Sequence, residues 1–206
     1  DSSDCPRMEA EQNALEAKGM LIPWYESFEV HLKDYIGERA FASDTGIAGT
    51  IDVQSELIAV RMQLSEKEVI RYREIGQECA GIVEGVAMNA RPGQTEQEIA
   101  DKIRTGCIEK GISPDCVLVG SDERILNYRH PVPTGKKIEK SLMVVLGGEK
   151  YGLNISMTRM VYFVPVPEEI KGRMRKTQKI FAAMQNLMKD GMSYQVYFRK
   201  VQELYA

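Results

Sequence analysis

Few side chains in this chain of 206 residues can do chemistry, and those few lie between residues 127 and 163. His130, in Asn127-Tyr-Arg-His-Pro131, is one of only two histidines, the other being His31. An imidazole titrating near neutrality serves as general acid or base without a metal. The same residue also reads as a histidine satisfied by backbone at the start of a proline-containing loop. Thr158-Arg159 supplies a guanidinium able to bind a carboxylate through two parallel hydrogen bonds. A strand arginine paired with a local carboxylate would organise a hairpin just as well. Tyr151 and Asn154 flank that hairpin and are candidates for the mouth of a cavity. Glu149, the nearest carboxylate, falls in the expected turn, where it reads as solvated.

The other reactive side chains are less suggestive. Cys5, Cys79, Cys107 and Cys116 form no Cys-x-x-Cys pair and have no histidine at zinc-finger spacing. Cys79 and Cys107 fall within helical apolar patterns, where a thiol acts as a small hydrophobe. All four read as reduced thiols of a cytoplasmic protein. Met174, Met184, Met188 and Met192 read as core filling, and the Lys136-Lys137 and 171–179 charge runs as solvated faces.

These candidates need elements to position them. Helical spacing is expected over residues 6–18, closed by Gly19, and over 28–36, closed by Gly37. Short strands are expected at 20–22 and 39–43, a loop from Thr45 to Thr50, and a helix over 53–60. Ser65-Glu-Lys-Glu68 and Thr95-Glu-Gln-Glu98 are capping boxes. The first opens a long helix with an apolar stripe through Val69, Tyr72, Ile75, Cys79, Ile82, Val83, Val86 and Ala87, broken by Arg91-Pro92-Gly93. The second opens a helix burying Ile99, Ile103 and Ile108 and stopping at Gly111. Strands follow at 116–119, 141–146 and 153–163, with a hairpin turn running from Gly147-Gly148 to Gly152. A long helix over 168–189 and a last helix after Ser193 close the chain.

A length of 206 residues allows one large domain or two small ones. A net charge of −3 gives no electrostatic reason to expect a nucleic acid or an anionic membrane as partner. No apolar run approaches the roughly 20 residues that span a bilayer.

The stretch Tyr-Arg-His130-Pro, then Leu142-Met-Val-Val145-Leu-Gly147, then Asn154-Ile-Ser156-Met-Thr158-Arg159 resembles the creatinase, aminopeptidase P and methionine aminopeptidase superfamily. The helix–Pro-Gly–Thr-Glu–helix entry at residues 65–111 is similar to the start of that family's catalytic domain. The resemblance implies an α+β fold: the first half of a pita-bread domain, helices packed on an antiparallel sheet, over 65–206. Residues 1–64 would then close an N-terminal α/β domain. Both ends read as cut within family elements, as in a fragment of a longer protein.

The resemblance also implies where a dinuclear metal site would sit. Family members carry Asp in Val-Asp-x-Gly and in Asp-x-Thr-Arg, about eleven residues apart. The matching positions here are Val145 and Ser156. Valine offers no lone pair, and a neutral hydroxyl is a poor ligand for a divalent cation. A one-residue slip does not help, because Leu146, Ile155 and Met157 are also non-ligands. The expectation is therefore no metal and no other cofactor. His130 matches the family histidine that lines the active site, and Arg159 matches the family Thr-Arg.

Three functions follow from the resemblance. The first is a non-catalytic relative that binds a peptide or a partner protein, as pita-bread domains in some histone-chaperone subunits do. The second is a metal-independent, creatinase-like amidohydrolase acting on a small amide, with His130 as base. Thr158 stands where creatinase carries a glutamate, which leaves its guanidinium-binding pair incomplete. The third is an Xaa-Pro aminopeptidase or dipeptidase. A homodimer is expected by the same resemblance.

Overall fold

In a computed structural model, residues 5–13 and 16–205 are described. They divide into two compact units, 1–69 and 70–206. The division falls inside a long helix, a few residues beyond the boundary expected near Leu64.

The first unit is a sparse α/β assembly. Its helices are α1 (Cys5–Glu11), α2 (Phe28–Ile36) and α3 (Gln54–Met62), with β1 (Ala42–Ser43) and β2 (Ile51–Asp52) paired in parallel. α2 ends where Gly37 takes φ +58° and its N–H donates to the Lys33 carbonyl, a stop that only glycine adopts without strain. Two expectations fail here. The first helix ends at Glu11 rather than running to residue 18. Asn13 closes a local loop instead, its amide donating to the Ala17 carbonyl and its oxygen accepting from the Ala17 N–H, the competition that makes Asn a poor helix-interior residue. Residues 14 and 15 lie outside the described residues. Residues 20–22 form no strand; Met20 and Leu21 are exposed, so no apolar face is buried that would hold one.

The second unit holds the core. Helix α4 (Glu66–Asn89) buries Ile75, Cys79, Val83 and Ala87, each four residues from the last. Ser65 and Glu68 close its capping box, Glu68 N–H donating to Ser65 Oγ at 3.3 Å and Ser65 N–H to Glu68 Oε2 at 2.7 Å. Helix α5 (Glu96–Glu109) begins at the second capping box. It buries Ile99, Ala100, Ile103 and Cys107, while Ile108 is exposed. The 99–103–107 spacing keeps one face, and Ile108 falls a step beyond it.

Three strands form one antiparallel sheet in the order β3 (Ser113–Ser121), β4 (Ser141–Lys150), β5 (Leu153–Tyr162). The β4–β5 turn is only Tyr151-Gly152, with φ +59° and +77°, the handedness a two-residue hairpin needs. Gly147 and Gly148 lie within β4 rather than in the turn. They are small because neighbours crowd them: a Cβ on Gly147 would sit 3.0 Å from Cys116 Cβ, and one on Gly148 3.0 Å from Ile112 and 3.3 Å from the Cys79 sulfur. A short helix α6 (Glu123–Asn127) follows β3. Helices α7 (Glu168–Leu187) and α8 (Tyr194–Tyr205) pair with each other. α7 buries no residue, so the methionines read as core filling do not fill one; Met174 and Met188 are exposed.

No helix among the described residues is long and apolar enough to cross a membrane.

Candidate functional site

Alternation along the strands gives the sheet two unlike faces. Towards the helices point Val117, Leu146 and Met157 in one row, Val119, Val144 and Arg159 in the next, and Ser121, Leu142 and Val161 in the third. The opposite face carries Cys116, Gly147 and Ser156, then Leu118, Val145 and Thr158, then Gly120, Met143 and Met160. Val145 and Ser156 therefore share a face. They are diagonal neighbours on adjacent strands, since Val145 pairs with Thr158 and Ser156 with Gly147. Diagonal positions lie roughly 7–8 Å apart, a separation two carboxylates can span to meet at one ion.

The His130 loop is brought to this face by a glycine. A Cβ at Gly120 would lie 2.6 Å from Pro131 Cγ, so Pro131 is seated directly over the strand. His130 precedes that proline and is exposed. Its ring makes no hydrogen bond among the described residues, neither the backbone contact nor a link to a carboxylate.

Two carboxylates hold this loop, and neither stands out in the sequence. Glu96, fully buried at the first turn of α5, accepts five hydrogen bonds: from Ser121 N–H and Oγ (both 2.8 Å), Arg124 Nε (3.1 Å), Thr134 N–H (3.1 Å) and Thr134 Oγ1 (2.7 Å). The N–H groups of Glu96 and Gln97, orphaned at the helix start, donate in turn to the carbonyls of Lys136 and Thr134 at 3.0 Å each. Asp122 accepts from the N–H groups of Lys140 (2.8 Å), Ser141 (2.9 Å) and Glu139 (3.1 Å), with Lys136 Nζ at 3.4 Å. Burial alone would raise its pKa; the three amides and the lysine charge outweigh that and hold it below the usual carboxylate value. Asp122 sits at φ +53°, a strained conformation that persists because these bonds over-determine it.

The remaining candidates lie apart from this face or at its margin. Arg159 points to the helix side, where Nε and Nη2 both donate to Glu84 Oε1 on α4, at 3.1 and 2.6 Å. It lines a groove of about 620 Å³ with Met88, Arg91 and Phe163, on the other side of the sheet from Val145 and Ser156. Tyr151 is exposed in the turn, its ring 5.2 Å from the Arg71 guanidinium and 5.5 Å from Lys150 Nζ. Asn154 accepts the Tyr72 hydroxyl through its backbone carbonyl at 2.5 Å. Glu149 is not simply solvated: it belongs to β4 and accepts the Gly152 N–H at 2.5 Å.

A three-stranded antiparallel sheet backed by two capped helices, with a His-Pro loop laid on its free face, is the first half of the pita-bread fold. Residues 71–206 match the profile of metallopeptidase family M24. The chain belongs to that family. Among solved structures it is similar to the X-Pro aminopeptidase of Thermotoga maritima MSB8 (TM-score 0.76, 17% identity), covering 99% of this chain and 61% of that one. It is similar also to the prolidase of Pyrococcus horikoshii OT3 (TM-score 0.72, 18% identity, 96% of this chain and 62% of that one). The Xaa-Pro dipeptidase of Bacillus anthracis gives a TM-score of 0.68 at 17% identity, over 95% of this chain and 61% of that one. The chain thus spans about three fifths of the length of these structures. No curated protein matches it.

The family's name implies a metal, and the residues at the two diagonal positions do not fit one. Val145 has no donor atom and Ser156 only a neutral hydroxyl. Among the described residues no group of three or more His, Cys, Asp or Glu could hold an ion.

Proposed function

We propose that this Xaa-Pro aminopeptidase- and prolidase-like M24 protein is a non-catalytic relative, whose free sheet face binds an extended peptide or a partner protein. The observation that carries the reading is the pair Val145 and Ser156, diagonal neighbours on that face, neither of them a carboxylate. An open face with Leu118, Met143 and Met160 around polar Thr158 and Ser156 offers apolar contact and hydrogen bonds to an extended chain. Reading His130 as the base of a metal-free amidohydrolase finds less support, since no described side chain orients its ring. The proposal takes the protein to be cytoplasmic and homodimeric.

The test titrates the 206-residue chain and its V145D/S156D variant with Mn²⁺ by calorimetry, and assays both on a Gly-Pro-Phe peptide. The expected result is no stoichiometric metal binding and no cleavage by the native chain, peptide binding without turnover, and weakened peptide binding in the variant, whose two carboxylates alter that face. Stoichiometric metal binding or cleavage by the native chain would overturn the proposal.

A further inference from the structure

We infer that a second site, a cavity of about 390 Å³ where α6, the start of β4, the end of β5 and the start of α7 converge, binds a small hydrophobic amine. Its volume is at the small end of the roughly 300–1,000 Å³ typical of ligand sites. Its body is apolar: Ile125, Leu126, Tyr162, Val164, Pro167 and Ile170 line it. Three carboxylates, one lysine and a serine complete the lining, namely Asp122, Glu123, Glu139, Lys140 and Ser141.

The carboxylates are not equivalent. Asp122 is consumed by three backbone amides and Lys136, and serves to hold the wall. Glu123 has Lys136 at 3.5 Å, but that ammonium is shared with Asp122 at 3.4 Å. Glu139 is fixed by its backbone N–H on Asp122 at 3.1 Å, while its own carboxylate has no partner among the described residues. Three carboxylates against the Lys140 ammonium and the shared Lys136 ammonium leave the rim net negative. That balance favours an apolar body carrying a positive charge and disfavours an anion of the same shape. The walls are pre-formed by the strained, over-bonded turn at Asp122, which lowers the ordering cost of binding. This site stands independently of what the free sheet face binds.

The full chain is titrated with 2-phenylethylamine, with uncharged 3-phenylpropan-1-ol and with 3-phenylpropionate, and followed by protein-observed NMR. The expected result is amine-induced shifts at Ile125, Leu126, Tyr162 and Ile170, with the carboxylate binding about tenfold more weakly or not at all. Glu139→Gln, an exposed change that leaves the fold intact, should weaken the amine several-fold and leave the alcohol unchanged. Ile170→Trp should fill the cavity and abolish all binding. Equal binding of amine and carboxylate, shifts mapping elsewhere, no shifts at millimolar amine, or an unaltered amine affinity in Glu139→Gln would each overturn the inference.

Discussion

Glu96→Gln is the sharpest perturbation of the machinery that places the His130 loop. The side chain keeps its size but exchanges one acceptor oxygen for an NH2 donor. Every neighbour of that carboxylate is a donor: the Ser121 and Thr134 N–H groups, their hydroxyls and Arg124 Nε. Whichever way the amide turns, its NH2 faces a backbone N–H that cannot rotate away, while the hydroxyls can reorient. One backbone donor is left unsatisfied, at about 1–3 kcal/mol, and the Arg124 bond loses its charge assistance. Removing one member of a buried charge pair costs about 3–5 kcal/mol; Arg124 keeps some exposure, so the total should fall near 3 kcal/mol. For a chain of this size that is a drop in Tm of about 6–12 °C. Circular dichroism melts of the wild type and variant read it directly, and hydrogen exchange should rise first across residues 121–141. Glu98→Gln, two residues away in the same turn, is the control. It retains an acceptor for the Thr95 N–H and should cost no more than about 1 kcal/mol. A Glu96→Gln melt within 2 °C of wild type, or equal losses in the two variants, would refute the assignment of Glu96 as the anchor.

Gly120→Ala places a Cβ 2.6 Å from Pro131 Cγ and should cost about 1–3 kcal/mol by overpacking, with the largest NMR shifts in the 128–132 loop, whereas a Cβ at Gly135 meets nothing within 4 Å and should be close to neutral. Asp122, whose folded pKa lies below its unfolded value, adds stability that is complete above the ordinary carboxylate range and is lost as pH falls through the depressed value. Acid denaturation followed by fluorescence should therefore be shallower in Asp122→Asn than in wild type, and the two curves should converge at the lowest pH. A maleimide at neutral pH should label exposed Cys116 in the native protein but reach Cys79 and Cys107 only after unfolding. Burial raises both of those thiols, Cys107 to about 11, and mass spectrometry of peptides distinguishes the sites.

Local signals in the chain were enough to mark the four long helices and three strands of the second unit, though not α6 or the full length of β4. Capping boxes at Ser65 and Thr95 are satisfied within four residues, so they read the same in the sequence and in the fold. The unbroken apolar run from Leu142 to Leu146 marked a strand but not which of its residues face the helices; the shared face of Val145 and Ser156 came from the β4–β5 register. Weak signals failed where no burial backed them. The strand expected at 20–22 has no partner, and the helix expected to run on past Glu11 meets Asn13.

What only tertiary structure decided depends on partners distant in sequence. Glu96 looks like one more first-turn acid until Ser121, Arg124 and Thr134, 25 to 38 residues away, converge on it. The glycines at 147 and 148 look like a turn until Cys116 and Ile112 are seen pressing on them. Arg159 looks like a ligand residue until strand alternation turns it to the helix side and Glu84, 75 residues earlier, takes its guanidinium. Charge pairing and close packing are set by distance in space, and a sequence states only distance along the chain.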